Sequence, residues 1–151
     1  VAAEGLVGVT ATGKAAAIVE VNSETDFVAR NDAFKELVRM ASEFALEADG
    51  DLDTLLATTI GKNGPTVGEH VKELIAKIGE NMSLRRTATV AVKDGVVASY
   101  VHNAAAPGMG KIGVLVALKS TGDKARLIAL GRQIAMHVAA ARLDPVGALR
   151  R

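Results

Sequence analysis

The eleven residues Val21-Asn22-Ser23-Glu24-Thr25-Asp26-Phe27-Val28-Ala29-Arg30-Asn31 set an aromatic, Phe27, among polar neighbours that a core would not choose. Just before them, Ala15 to Val21 has the apolar density of a strand. After them, Ala33 to Leu46 places Phe34, Leu37, Val38, Ala41, Phe44 and Ala45 at helical spacing. Asp26 and Phe27 therefore fall in a strand-to-helix connection, with Asn31 or Asp32 as the helix N-cap. Phe27 has two readings there: a side chain folded back as a lid on the core, or one offered to a partner.

Outward from this stretch, Gly5 to Ala11 and Ala15 to Val21 read as a hairpin turning at Thr12-Gly13. The helix after the loop ends at Ala48-Asp49-Gly50-Asp51. A short helix over Leu52 to Ala57 and a breaker cluster at Gly61-Lys62-Asn63-Gly64-Pro65 come next. Thr66-Val67-Gly68-Glu69 has the spacing of a capping box, opening a helix through Val71, Leu74, Ile75 and Ile78 that stops at Gly79. Leu84 to Val92, Val96 to His102 and Lys111 to Leu118 then read as strands, the first two joined at Lys93-Asp94-Gly95, and Asp123 to Ala141 as a long helix. Ile18 to Glu24 aligns with Val114 to Ser120, and Arg39 to Ala45 with Gln133 to Ala139, so one strand-then-helix unit recurs. The second copy has Thr121-Gly122-Asp123 where the first has the Asp-Phe insertion, which marks the first loop as specialised. The expected fold is α+β, with two similar lobes, each a small antiparallel sheet packed against helices. The lobes are residues 1–81, carrying the Asp-Phe loop, and residues 82–151. The tail Arg142 to Arg151 breaks at Pro145, so the second lobe is either a compact variant or incomplete.

Hydrophobic residues make up 49% of the 151, but aromatics only 3%, so the core is built from Ala, Val, Leu and Ile. Few aromatics also argue against a platform for stacking single-stranded bases. The absence of cysteine excludes disulfides, thiol nucleophiles and zinc thiolates, and fits a reducing compartment. No apolar run approaches the roughly 18–20 residues of a membrane span, and nothing at the start reads as a signal segment. A soluble protein with no membrane partner is expected. The opening at Val1 without an initiator Met reads as a processed or excised piece. Residues 1–80 hold 7 Lys and Arg against 14 Asp and Glu, and residues 81–151 hold 11 against 3, a polarity of −7 and +8. Such polarity steers a partner or lets the two lobes attract each other.

Catalytic chemistry has little to stand on. His70, His102 and His137 are too scattered for a metal site; His137, inside an apolar helix, reads as a packing residue. Ser83 or Ser99 with His102 and Asp26 lacks a nucleophile elbow. Ala106-Pro107-Gly108-Met109-Gly110-Lys111 has neither the spacing of a phosphate-binding loop nor a following helix, so no cofactor or bound nucleotide is expected. Arg85, Arg86, Arg126, Arg132 and Arg142 are dispersed, without interleaved aromatics, and read as solvated faces more readily than as a nucleic-acid patch.

The opening stretch closely resembles the signature of the elongation factor Ts family, with Ser23 where a Cys is frequent. Lys77-Ile78-Gly79-Glu80-Asn81-Met82-Ser83-Leu84-Arg85-Arg86, Ser99-Tyr100-Val101-His102 and Ile134-Ala135-Met136-His137-Val138-Ala139-Ala140 resemble the family's later motifs, in the family's order. Members carry a small N-terminal helical domain ahead of this region, and long members a helical hairpin after it. The resemblance implies a guanine-nucleotide exchange factor for the translational GTPase elongation factor Tu, binding both its GDP-bound and nucleotide-free forms. Such a factor acts by protein–protein binding and not as an enzyme, in the bacterial cytoplasm or an organelle matrix. It implies that Thr25, Asp26, Phe27 and Val28 enter the GTPase and disturb its magnesium and phosphate site, while Ile78, Gly79 and His102 grip another of its domains. Homo-oligomerisation is left open. The alternative, from another class, is an RNA-binding or ribosome-associated module using the basic second lobe.

Overall fold

The computed structural model describes residues 4–141 and 148–150. β1 (Glu4–Ala11) and β2 (Ala15–Ser23) pair antiparallel from Glu4 opposite Ser23 to Ala11 opposite Ala16. Their alternation is apolar on both sides. Leu6, Ala17 and Val19 belong to one core and Val7, Ala16 and Ile18 to another, so both faces of this sheet are covered.

The first face is covered by α2 (Asp32–Ala48), which follows the single-turn α1 (Asp26–Ala29). Asn31 is the N-cap of α2, its side chain accepting from the N–H groups of Ala33 and Phe34. Phe34, Leu37, Val38, Ala41 and Ala45 recur at helical spacing and are fully buried against the sheet. The helix stops where Asp49 takes the left-handed conformation (φ 52). α3 (Leu52–Ala57) and α4 (Val67–Ile78) complete this layer; the capping box of α4 forms between Thr66 and Glu69, and Gly79 (φ 81) is its left-handed C-cap.

The remaining strands divide differently from the sequence expectation. β3 (Met82–Ala91) does not form a hairpin with β4 (Gly95–His102). It runs antiparallel beside β2, from Ala15 opposite Ala91 to Ser23 opposite Met82. Residues 92–94 thus carry the chain from one sheet to the other. β5 (Met109–Gly110) returns to the free edge of β1, completing the order β3-β2-β1-β5. β6 (Ile112–Lys119) pairs with β4, and β7 (Ala148–Arg150) with β6, in a second sheet ordered β4-β6-β7.

The two sheets pack face to face through Val7, Ala16, Ile18, Val97 and Leu115. A Cβ on Gly113 of β6 would stand 2.6 Å from Cδ1 of Ile18, so the missing side chain lets the two sheets approach closely there. α5 (Lys124–Ala141) covers the outer face of the second sheet through Gly131, Ala135 and Ala139, spaced four residues apart. The order of layers is helix, sheet, sheet, helix, an α+β fold in which the recurring strand-then-helix unit supplies the two outer helices. Because the buried stripe of α5 consists of these small residues, His137 lies on its exposed side, not among packing residues as expected. Arg142 and the break at Pro145 lie outside the described residues.

Candidate functional site

α1 separates its side chains by direction. Val28 and Ala29 point into the core, at 5% and 2% exposure, while Phe27 is 82% exposed. The lid reading of Phe27 is thereby excluded. Val28, also expected to meet the partner, is packed in the core beneath the turn. Asp26 is tied to the end of the same turn: Arg30 donates to its Oδ2 from Nε (2.8 Å) and Nη2 (2.5 Å). The Arg30 guanidinium carbon also lies 5.9 Å from the centroid of the Phe27 ring, within cation–π range. The Arg30 hydrogen bond, helped by the charge of Lys111, holds the Asp26 carboxyl below its ordinary range.

Two distant elements meet this turn. Lys111, between β5 and β6, donates from Nζ to the Gly5 carbonyl (3.0 Å) and lies 3.3 Å from Glu4 Oε2 and 3.5 Å from Asp26 Oδ1. Glu80, just past α4, accepts from the Thr25 N–H through Oε1 (2.6 Å) and from the Thr25 hydroxyl through Oε2 (2.9 Å). Ile78 and Gly79 directly precede Glu80 in the chain, so they lie beside the Phe27 turn. Gly79 is exposed, and nothing lies within 4 Å of where its Cβ would be, leaving open space beside the turn.

His102 is exposed at the end of β4, where the two-residue period of a strand puts Tyr100 on the same side. The Tyr100 hydroxyl and His102 Nδ1 are 2.9 Å apart. The His102 carbonyl accepts from the Lys111 N–H at 3.1 Å, so the backbone at His102 is one residue's length from the cation that reaches Asp26.

Lys111, Arg30 and Glu80 went unremarked in the sequence as members of a site. Arg30 had a readable signal, since Asp26 and Arg30 stand four apart, the spacing that closes an ion pair over one helical turn. Lys111 and Glu80 had none, being 85 and 55 residues from their partners in the turn. The arginine pair is also corrected. Arg85 and Arg86 are not merely solvated, because both reach the fully buried Glu20 of β2, at 3.4 and 2.5 Å. A register shift in the β2–β3 pairing, with Glu20 opposite Arg86 and Val21 opposite Leu84, lets two successive side chains reach one carboxylate. No group of His, Asp and Glu able to hold a metal occurs among the described residues. No helix among them is long and apolar enough to cross a membrane.

A family model described as Elongation factor TS matches residues 24–146, which spans the turn, Gly79, Glu80, His102 and Lys111. The chain belongs to the elongation factor Ts family. Curated elongation factor Ts proteins agree with this. That of Rhizobium johnstonii (strain DSM 114642 / LMG 32736 / 3841) is 60% identical over 139 residues, 92% of this chain and 45% of the relative. Those of Rhizobium meliloti (strain 1021) and Sinorhizobium fredii (strain NBRC 101917 / NGR234) are 60% and 59% identical over the same shares. The chain thus spans less than half the length of these elongation factor Ts relatives.

Proposed function

We propose that this chain is a guanine-nucleotide exchange module for elongation factor Tu, acting by binding and not by covalent chemistry. The observation that carries the reading is Phe27: a large apolar ring, 82% exposed, on a turn held by core packing below and by ionic hydrogen bonds at its base. An exchange factor works by binding the nucleotide-free GTPase better than its GDP-bound form, since equal affinity for both shifts nothing. Phe27 enters between structural elements of the GTPase and is buried there only when they have moved. Asp26, engaged by Arg30 and Lys111, keeps the ring's base in place. Burial of one Phe contributes roughly 1.5–3 kcal/mol, or about one to two decades in an equilibrium constant. Ile78 and Gly79 beside the turn, and His102 beyond Lys111, supply further contact. By linkage, a returning nucleotide weakens the complex by the same factor and releases the exchange factor.

The experiment is release of a fluorescent GDP from elongation factor Tu. Phe27→Ala should slow stimulated release by roughly one to two decades while the melting temperature stays within a few degrees, since an exposed ring contributes little to the core. Unchanged release would sink the reading. The RNA-binding alternative is weakened by the pairing of Arg85 and Arg86 with Glu20, which leaves the second lobe less free positive charge than its composition suggests.

A further inference from the structure

We propose that Glu80 is a positioning residue that caps α1 from outside the helix and so sets the direction in which Phe27 points. This rests on the exchange reading only for its consequence in activity.

A helix start leaves N–H groups without intrahelical partners, and a local capping box normally satisfies them: the N-cap hydroxyl serves the third helical residue, and a Glu at that position serves the N-cap N–H. α4 uses this arrangement, with Thr66 and Glu69. α1 cannot, because its third position is Val28, which is buried, and because Thr25, its N-cap, makes no side-chain cap bond within the helix. The Thr25 N–H and hydroxyl instead both donate to Glu80, which lies 55 residues further along the chain. Gly79 makes this reach possible. Its left-handed φ of 81 ends α4 and turns the chain so that the next side chain meets Thr25.

A helix of one turn has no stability of its own. α1 spans only four residues, and the exposed Phe27 ring has beside it the Arg30 guanidinium of the same turn and no core packing, so its direction depends on that turn. Without Glu80, the start of the turn loses two charge-assisted hydrogen bonds. The ring then samples many directions, and the fraction of molecules competent to insert falls, which raises the apparent dissociation constant without altering the inserted complex.

The chain has no Trp, so Phe27→Trp places a single fluorescent reporter on the turn. In that background Glu80→Ala should lower the Trp emission anisotropy and increase its fast local motion, with the partner absent. Glu80→Gln should recover much of the loss, because an amide oxygen still accepts from the Thr25 N–H. In exchange kinetics with Phe27 present, Glu80→Ala should raise KM for elongation factor Tu·GDP about threefold to tenfold and leave kcat unchanged. In a Phe27→Ala background it should change neither. Unaltered Trp anisotropy, a lowered kcat, or an equal KM effect without Phe27 would each overturn the assignment. If Phe27→Ala itself leaves exchange intact, the exchange reading fails, and the anisotropy alone decides the positioning role.

Discussion

Asp26 shows how much of the site rests on one charged group. Its carboxylate receives both Arg30 nitrogens and faces Lys111, and its acidity is strengthened chiefly by the Arg30 hydrogen bond. A pKa depressed in the folded state contributes stability that is fully present above the unfolded value. That stability is lost as the pH falls through the folded value, so the turn keeps this support everywhere above about pH 4. An NMR titration of the Asp26 side-chain carboxyl should therefore give a midpoint below the usual ~3.9, and Arg30→Ala should move it upward. A midpoint above 4 in the unaltered chain would contradict the geometry. At this scale the sequence was informative about the residue that stands out, Phe27, because an aromatic among polar neighbours needs only local context to be noticed. It was uninformative about the residues that hold it, because Glu80 and Lys111 become neighbours of the turn only after the chain has folded.

Elements were legible because their signals are local. α2 announces itself by a Phe, Leu, Val and Ala stripe and by Asn31 at its start, and α4 by Thr66, Glu69 and Gly79. α1 was read as loop: a single turn has no room for periodicity, and its cap comes from elsewhere. The stripe of α2 supplies the anchor for everything beside it, since Phe34 is fully buried three residues after Asn31. Phe34→Ala should cost about 3–5 kcal/mol, which in a chain of this size lowers the melting temperature by about 10 °C. Calorimetry checks this directly. The contrast with Phe27→Ala is the informative result, because the two substitutions remove the same side chain from two places seven residues apart. A similar fall for both would mean that Phe27 is packed and not presented.

For the molecule as a whole, the opposite charge of the two halves of the sequence acts inside the fold. Glu4, Glu20 and Asp26 from the acidic half meet Arg85, Arg86 and Lys111 from the basic half. Glu20 differs from the others in being fully buried, while its arginines are 58% and 44% exposed. The two sides of this cluster should therefore respond unequally. Glu20→Ala leaves guanidiniums that can return to water and should cost about 1–3 kcal/mol. Arg85→Ala with Arg86→Ala takes two counter-charges from a buried carboxylate and should cost about 3–5 kcal/mol. Urea unfolding of both variants decides, and equal costs would mean that the carboxylate is less dependent on these arginines than its burial implies.

The sequence by itself determined the alternation of strands and helices, most of their ends and the singling out of Phe27, because periodicity, caps and turn residues act over a few positions; that Phe27 is exposed and not a lid was decided by the fold. Tertiary structure decided which strands share a sheet. Met82 to Ala91 lies three residues before β4 yet pairs with β2, because hydrogen-bond partners in a sheet are chosen by register and by what each face buries, neither of which is written locally. The same holds for the site. Thr25 and Glu80 carry ordinary donors and an ordinary carboxylate until the left-handed turn at Gly79 brings them within hydrogen-bonding distance, and only then does the turn that bears Phe27 acquire a fixed direction.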